Sequence, residues 1–456
     1  MLRSRSSFPK VLKPIDSSNE SVGEIRSLEQ QLSMIKEDFL HYVWRLKRFN
    51  MIHLHTTQGE PVQLIYVGEL NTHAGPDFTN ARIKIGDTLW AGNVEIHIQS
   101  SEWIRHQHQE DMAYNNVILH VVLEEDQVIF RKNGERIPCL ELKKLIPPQL
   151  SKTYLRLLNN EQWIPCQHQF ASVSEITKNI WLDRLLVERL EQKIETITQS
   201  LENNKYDWEA SFYQILARSF GVKVNTDPFE LLAKSIPLSI LGKHKNLLIQ
   251  LEALLFGQAG MLSEAFEDNY PQKLQREYLF LQKKYQLQPI LMESWKLLRM
   301  RPANFPTIRI AQLAHLLFQS THLFSKTLAA KNVVELEHMF DVNVSPYWYT
   351  HYVFDKDSPK RKKKLGKGTI HLLIINTIVP FLFAYGQRKA EDKYIDKALQ
   401  LLEELPPERN SQIIKWQSLG YEPQSAYQTQ ALLQLKKAYC AKQRCLECAI
   451  GNAIMT

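Results

Sequence analysis

The sequence predicts an α/β domain near the N-terminus followed by a mainly α-helical region. Two patterns predict this division. Short apolar runs separated by turn residues follow one another up to about residue 142, whereas from about residue 150 onward the apolar residues recur with helical spacing. A chain of 456 residues, of which 44% are apolar, is long enough to bury two or three cores.

These patterns divide the chain into three segments. Residues 1–33 are rich in serine and poor in large apolar side chains, which predicts a disordered extension and leaves the natural start residue open. Residues 34–150 are predicted to form the α/β domain. Residues 151–456 form the predicted helical region, which can be divided further into 151–335 and 336–456.

The elements follow from the spacing of apolar residues. Residues 34–49 predict an amphipathic helix, because Phe39, Leu40, Val43 and Trp44 recur with helical spacing. Strand-like runs and one more helix come next: strands at 61–67, 79–86, 89–98, 117–123 and 137–142, and a helix at 102–115. This order predicts a compact α/β sandwich. In the second region, residues 174–201 form the clearest predicted helix.

A hairpin is predicted between the second and third strands, and two registers are open. Gly86 in a two-residue turn favours type II′, which pairs Ile83 with Trp90 and makes Asp77 leave the strand ladder to reach the site. A three-residue turn with a bulge would instead set Asp77 opposite His97. The sequence does not choose between them.

Asp77, Glu95 and His97 are the residues most informative about function. Asp77 follows a glycine–proline step, and Glu95 and His97 stand two residues apart at the end of the next apolar run. Two adjacent strands would therefore present two carboxylates and one imidazole together. Carboxylates bind divalent cations, and an imidazole with an ordinary pKa of ~6.5 can act as a base toward water. The pattern predicts a metal site suited to phosphodiester cleavage.

Residues 34–125 resemble the core of the PD-(D/E)XK nuclease superfamily, in which an aspartate and a Glu-X-Lys on the next strand bind Mg²⁺ and position the attacking water. The resemblance implies a restriction-endonuclease-like mixed sheet flanked by helices. It also implies Mg²⁺ or Mn²⁺ as cofactor and nucleic acid as substrate, with DNA favoured over RNA. The tripeptide reads Glu-Ile-His in this chain, so His97 replaces the lysine.

The same resemblance implies two further site residues. Members of the superfamily commonly draw an acidic residue from the helix before the sheet, and Glu37 matches this position, with Glu69 as its rival. Lys84 on the neighbouring strand is a candidate for a migrated motif lysine. The predicted catalytic residues are Asp77, Glu95, His97, Glu37 and Lys84, with Asp77 and Glu95 as metal ligands.

The whole chain also resembles an uncharacterised bacterial family, recognisable by WRLKRF, GPDFTNARIKIGDTLWAGNVEIH, AYNNVILHVV, INTIVPFLFAYG and a cysteine-rich end. That resemblance implies no activity. A purely structural interpretation of the motif also remains open. In it, Asp77 caps a turn, Glu95 faces solvent and His97 is an ordinary surface residue.

Histidines near the motif indicate a different chemistry. His106 and His108 alternate along the chain and His120 lies in the next apolar run, so together they are candidates to bind zinc or iron in a metal hydrolase or oxygenase. The alternative is that His106 and His108 are polar residues beside Trp103 and that His120 belongs to the core.

The five cysteines favour thiol or metal chemistry over disulfides, because residues 1–30 lack the apolar block of a secretory signal. Cys440, Cys445 and Cys448 have the spacing C-x4-C-x2-C, close enough for one zinc ion or an iron–sulfur cluster. Cys166 or Cys139 would supply a fourth ligand. A predicted helix at 427–449 instead favours plain packing of the cysteines.

The net charge of +7 permits a polyanionic partner without requiring one. A loop that contacts phosphates is predicted at the basic run Lys360, Arg361, Lys362, Lys363 and Lys364, although such runs are also typical of a solvated surface. Because no run reaches the ~18 to 20 apolar residues that span a bilayer, we expect a cytoplasmic protein with no membrane partner. The sequence identifies no protein partner.

Three hypotheses about function follow. The first is a Mg²⁺- or Mn²⁺-dependent nuclease. The second is a catalytically inactive nucleic-acid-binding or scaffold protein, suggested by the histidine in place of lysine. The third is a metal hydrolase or oxygenase built on the histidines.

Overall fold

The computed structural model describes residues 34–297, 300–320 and 322–456. The predicted extension at 1–33 lies outside the described residues. The chain divides into two units, of which the first extends to Trp181 and also includes Lys436–Thr456, and the second comprises Leu182–Leu435. The C-terminal segment therefore belongs to the same unit as the N-terminal sheet. The predicted boundary at 150 and the further division near 335 stay predictions.

The first unit contains a mixed α/β sheet region, and the remainder of the chain is mostly helical, which confirms the coarse fold class. The elements of the N-terminal part are α1 (Glu37–Arg45), β1 (Val62–Tyr66), β2 (Glu69–Leu70), β3 (Phe78–Ile85), β4 (Thr88–Gln99), α2 (Glu102–Arg105), β5 (Val117–Glu124), β6 (Cys139–Glu141), α3 (Pro148–Leu158) and α4 (Glu175–Asn203). Each predicted strand is present.

The strands of this unit form one mixed sheet in the order β1-β3-β4-β5-β6, with β2 paired to β3. The β1–β3 and β3–β4 pairs are antiparallel, whereas β4–β5 and β5–β6 are parallel. Helix α1 packs against β4, and its residues Phe39, Leu40, Val43 and Trp44 are buried. Strand β5 is buried along nearly its whole length, as expected for a central parallel strand.

The two-residue hairpin turn is confirmed, because Ile83 pairs with Trp90 and Gly86 has a φ of 59°. The register then shifts by one residue at a bulge before Ala81, so that Phe78 pairs with Val94. This shift places Asp77 opposite Glu95. The three-residue turn and the pairing of Asp77 with His97 are therefore wrong, because the extra residue lies in the strand and not in the turn.

The single helix predicted at 102–115 is also wrong. Helix α2 ends at Arg105, and a short 3-10 helix follows at Met112–Asn116. Between them Gln107 adopts a left-handed φ of 61°, and the His108 N–H donates to the Trp103 carbonyl at 3.1 Å. This tight reversal brings the segment back toward the sheet.

The second unit is helical apart from a small hairpin. Its elements after α4 are α5 (Trp208–Phe220), α6 (Thr226–Ser235), α7 (Leu238–His244), α8 (Leu248–Gln258), α9 (Asn269–Tyr285), α10 (Pro306–Gln319), α11 (Leu323–Ala329), α12 (Val333–Met339), β7 (His351–Val353), β8 (Lys356–Asp357), α13 (Lys367–Leu373), α14 (Val379–Lys389), α15 (Asp392–Glu404), α16 (Ser411–Ser418) and α17 (Ala426–Gln434). Its core includes the rings of Phe212, Phe324 and Phe381, whose centroids lie 5.1 to 5.8 Å apart. The chain returns to the first unit and ends with α18 (Ala449–Ile454).

One segment of the second unit is apolar enough to resemble a membrane span. Residues Lys367–Lys389, interrupted by a π-helical turn at Ile374–Ile378, satisfy the length and composition of such a span. Because 67% of the apolar window is buried inside the protein, the same pattern is typical of a core helix. The segment is weak evidence for a membrane.

Gly92 permits the close approach of β4 to the start of β5. A Cβ atom at this position would lie 2.5 Å from Ile118 Cγ2 and 2.6 Å from the Asn116 carbonyl oxygen. Because a backbone carbonyl cannot easily move, we expect Gly92→Ala to lower the free energy of unfolding by ~1–3 kcal/mol, measured by urea denaturation. The control is Gly242→Ala in helix α7. A Cβ atom added there has no neighbouring atom within 4 Å, and alanine favours a helix more than glycine does. An equal loss in both variants would contradict the steric argument.

Candidate functional site

Eight titratable side chains meet at one end of the sheet in the first unit, and we call this group the acid–histidine cluster. Its members are Glu37, His41, Asp77, Glu95, His97, His106, His108 and His120. Each comes from an element already described: α1, the residue before β3, β4, the reversal after α2, and β5. Glu95, His97 and His120 are buried, whereas His106 is exposed, so the cluster opens to solvent on one side.

Asp77 and Glu95, the two predicted metal ligands, lie side by side. The Asp77 backbone N–H donates to Glu95 Oε2 at 3.1 Å, and the Ile96 N–H donates to Asp77 Oδ2 at 2.9 Å. His41 Nε2 lies 3.2 Å from Asp77 Oδ2. The structure therefore brings together the two carboxylates that the sequence motif placed on adjacent strands.

Two histidines lie beside Glu95, and Glu37 lies near one of them. His108 Nε2 lies 3.2 Å and His97 Nε2 lies 3.5 Å from Glu95 Oε1, and His97 Nε2 is also 4.0 Å from Glu37 Oε1. Candidate ligand atoms of His97, His106 and His108 all lie within 4.8 Å of one another. The carboxylate motif and the histidine group, which the sequence offered as two separate sites, are thus one site.

His120 fixes the orientation of the His97 ring. His97 Nδ1 and His120 Nε2 are 2.8 Å apart in the buried part of the sheet, so one of these two nitrogens carries the proton they share. A hydrogen bond to one ring nitrogen sets the direction of the other. His97 Nε2 is consequently held toward the carboxylates of Glu95 and Glu37.

Burial and mutual repulsion disfavour the charged forms of most of these groups. Burial, together with the charge of Asp77, raises the pKa of Glu95 to about 8 and that of Glu37 to about 7. Burial and the neighbouring histidines lower the pKa of His97 to about 2, and burial lowers that of His120 to about 3. At neutral pH these imidazoles are neutral and keep a lone pair. Crowded carboxylates beside neutral imidazoles are typical of a cation site.

A family model described as "Protein of unknown function (DUF2851)" matches residues 37–411. The chain belongs to this family. The match confirms the predicted membership of an uncharacterised family, and it includes all eight members of the acid–histidine cluster. It ends before Cys440. Separate comparisons with curated proteins and with solved structures gave no match.

Two of the candidate residues lie outside the cluster. Lys84 pairs with Leu89 beside the hairpin turn, and seven residues of strand at ~3.3 Å each separate it from Asp77 by roughly 20 Å. The structure therefore does not bring Lys84 to the site. Glu69 is exposed on β2 and pairs with Thr79, so Glu37 is the one of the two rival acids that reaches the cluster.

His41 is the site residue that sequence reasoning missed. It follows Glu37 by four residues on α1, and residues spaced in this way share one face of a helix. Burial acts to lower the pKa of His41, but the hydrogen bond and charge of Asp77, together with the charges of Glu37 and Asp38, raise this pKa above its ordinary value. The i, i+4 spacing of an acid and a histidine on the predicted helix was the signal that could have found it.

Three of the cysteines lie on irregular turns, so the predicted helix at 427–449 is wrong in its second half. Helix α17 ends at Gln434, and a π-helical turn, Leu435–Tyr439, precedes the 3-10 turns Cys440–Lys442 and Cys445–Glu447. Gln443, with a left-handed φ of 54°, separates the two 3-10 turns. Cys166 and Cys139 belong to the same unit as these three, and Cys139 lies in β6 within the sheet.

The basic run divides into exposed and buried members. Lys363 is buried, donates to the His351 carbonyl at 2.7 Å and lies 3.7 Å from the Tyr352 ring centroid. Its assignment as a nucleic-acid contact is therefore wrong, because its ammonium group is buried and donates hydrogen bonds to backbone carbonyl groups. Lys364 is exposed and paired with Asp341 at 3.1 Å. The other three members of the run, Lys360, Arg361 and Lys362, are exposed. They form no ion pair with any of the described residues.

The raised pKa of Glu95 predicts a pH-dependent effect of Glu95→Gln on stability. With a pKa of about 8 in the folded protein against 4.5 as its ordinary value, Glu95 lowers stability progressively as pH rises between these values. Glutamine removes this loss. We expect the variant to gain, relative to the wild type, on the order of 1–3 kcal/mol more at pH 8 than at pH 5, measured by urea denaturation in EDTA.

The matched control for this measurement is Glu69→Gln, which removes an exposed carboxyl group of the same sheet outside the cluster. Its effect should be the same at both pH values. A pH-independent effect of Glu95→Gln would show that the Glu95 carboxyl group ionises normally, and the electrostatic description of the cluster would then fail.

Proposed function

We propose that this chain is a metal-dependent hydrolase that cleaves phosphodiester bonds of nucleic acid, DNA in preference to RNA, in the cytoplasm. The observation that carries the proposal is the pairing of Asp77 with Glu95 inside a cluster that also holds Glu37 and the neutral His97. Carboxylates that converge in a largely buried site are the ligand type that phosphoryl-transfer enzymes use for divalent cations.

The order of elements supports the finer fold assignment that belongs to this proposal. Helix α1 precedes the antiparallel strands β1, β3 and β4, and a short crossover leads to β5, which is parallel to β4. A restriction-endonuclease-like core implies a mixed sheet flanked by helices, and this order of elements is consistent with one. The departure is the crossover, in which α2 spans only Glu102–Arg105.

The donor set fits a divalent cation, and it favours Mn²⁺ over Mg²⁺. Asp77 and Glu95 would hold the ion, and His97 and His108 offer neutral imidazole nitrogens beside Glu95. Carboxylates suit Mg²⁺ and Mn²⁺, whereas imidazole suits softer ions. When bound, the cation supplies positive charge against the phosphate oxygens and makes a bound water more acidic.

Glu37 is a better candidate for general base than His97. The pKa of Glu37, raised to about 7 by burial and by Asp77, lies near neutral pH, where a general base works best. The pKa of His97, lowered to about 2, makes it a weak base. In this proposal Glu37 takes the proton from the attacking water and His97 orients that water through Nε2. His41 holds the carboxylate of Asp77 in place.

A second candidate function is a histidine-based metal hydrolase or oxygenase. The observation that favours it is the approach of His97, His106 and His108 to within 4.8 Å of one another. Three imidazole ligands would select zinc or iron over Mn²⁺. In this second candidate His106 is an essential metal ligand. In the leading proposal His106 is an exposed member of the cluster and does not bind the metal.

Hydrolysis of labelled linear DNA, single-stranded DNA and RNA with Mn²⁺ tests the leading proposal. We expect cleavage by the wild type and a loss on the order of 100-fold or more in Asp77→Asn and in Glu95→Gln, because each removes transition-state charge stabilisation. Glu69→Gln and Lys84→Ala are controls and should retain activity. Equal activity in all variants would refute the proposal, and salt-sensitive binding without turnover would favour an inactive nucleic-acid-binding protein.

Metal-dependent thermal stability separates the two candidates. In the leading proposal Mn²⁺ raises the melting temperature of the wild type and of His106→Ala, but not that of Glu95→Gln, because binding to the folded state alone stabilises it. The second candidate predicts instead that zinc or iron is retained on purification at about one equivalent and is lost in His106→Ala. Elemental analysis of the same three proteins decides between these outcomes.

A further inference from the structure

We propose that Cys166, Cys440, Cys445 and Cys448 form a four-thiolate site for a thiophilic metal centre, either one zinc ion or an iron–sulfur cluster, that fastens the C-terminal segment within the first unit. The proposal concerns a different group of residues from the acid–histidine cluster and does not rest on the proposed hydrolase activity. It rests on the position of the four thiols, their surroundings and the contacts that hold their segments together.

Two chain segments far apart in sequence carry these cysteines, and side-chain hydrogen bonds join the segments. Gln443 Nε2 donates to the Leu158 carbonyl at 3.0 Å. Lys436 Nζ donates to the Trp163 carbonyl and lies 5.3 Å from the centroid of the Trp163 ring. The segment that contains Cys166 is thus held beside the segment that contains the other three thiols.

The turn from Cys445 to Cys448 is tightly built. The Cys448 N–H donates to the Cys445 carbonyl at 3.3 Å. A Cβ atom on Gly451 would lie 2.2 Å from the Cys445 carbonyl oxygen, so this approach requires glycine. Backbone N–H groups of Ile450 and Gly451 donate to the Cys448 sulfur, where they favour the thiolate although burial opposes it. Backbone donors directed at sulfur stabilise a metal-bound thiolate.

The four thiols are close enough to influence one another electrostatically. Cys440 lies within electrostatic range of Cys166, Cys445 and Cys448, and Cys166 lies within the same range of Cys445 and Cys448. All four cysteines are free. Cys139 provides the contrast, because the charged groups that influence it are Glu125, Arg136 and Glu141, and no other cysteine is among them. Four free thiols from two joined segments, with Cys166 and Cys448 buried, are the ligand type that a zinc ion or an iron–sulfur cluster uses.

The proposed centre adjoins helix α1. Tyr154 stacks on Phe39 of α1 with ring centroids 4.4 Å apart, and burial raises the pKa of Tyr154, with a contribution from Cys445. The charge of Arg45, in the last turn of α1, contributes to the lowered pKa of Glu447, whose main cause is the hydrogen bond from Arg444. A metal centre here would therefore hold the C-terminal turns against the helix that carries Glu37.

Metal analysis of the purified full-length protein tests the proposal. We expect either about one zinc per chain, or about four iron atoms with an equal amount of acid-labile sulfide after anaerobic purification. Cys166→Ser and Cys445→Ser should each reduce this content at least tenfold. Cys139→Ser, which changes the remaining buried cysteine, should leave it unchanged. Equal metal content in the Cys445→Ser and wild-type proteins would overturn the proposal.

X-ray absorption at the metal edge of the wild type makes the test independent of whether the serine variants fold. We expect a first shell of sulfur alone, at ~2.3 Å for zinc. A shell of nitrogen and oxygen would place the metal elsewhere and overturn the proposal. So would failure of metal-free wild type to take up either zinc or a reconstituted cluster. Glu95→Gln should retain the sulfur-bound metal, so failure of the hydrolase proposal is distinguishable from failure of this one.

Discussion

The reciprocal hydrogen bonds between Asp77 and the strand that carries Glu95 are the interaction on which the candidate site depends. The Asp77 N–H binds the Glu95 carboxylate, and the Asp77 carboxylate binds the Ile96 N–H. The bulge in β3 makes this exchange possible, because it shifts the pairing by one residue near the start of the strand, between Phe78 and Ala81. Without the shift, the two acids would not face each other. A local irregularity in one strand thus determines the chemistry that the sheet can support.

The second constraint is the crowding of acidic and histidine side chains in the cluster. The elements that carry these side chains determine which of them are buried. Glu95 and His97 are buried on β4, whereas Glu37 and His41 come from a helix that packs over the same strand. Since a carboxylate in such surroundings is destabilised, its charge must be balanced by a proton, by His41 or by a bound cation. The position of α1 over β4 therefore determines the charge balance of the cluster as much as the identity of the acidic residues does.

Much of the first unit could be predicted from the sequence because its patterns are local. Strand positions follow from alternation and turn residues, and the hairpin turn follows from Gly86. The bulge before Ala81 and the reversal at Gln107 could not be predicted, since both are single-residue departures set by tertiary packing. These two departures bring Asp77 opposite Glu95 and fold the histidine segment back. Likewise, a run of basic letters could not show that Lys363 is buried.

The first unit is discontinuous along the chain, since residues up to Trp181 are completed by Lys436–Thr456. A ribosome that adds about 5–20 residues per second needs roughly ten seconds to a minute to produce the intervening segment. During that interval the sheet and Cys166 are present without Lys436–Thr456, the segment that completes the unit. This unit therefore completes its packing only after Lys436–Thr456 have been synthesised, and loss of that segment would leave the N-terminal sheet region without the contacts that the segment provides.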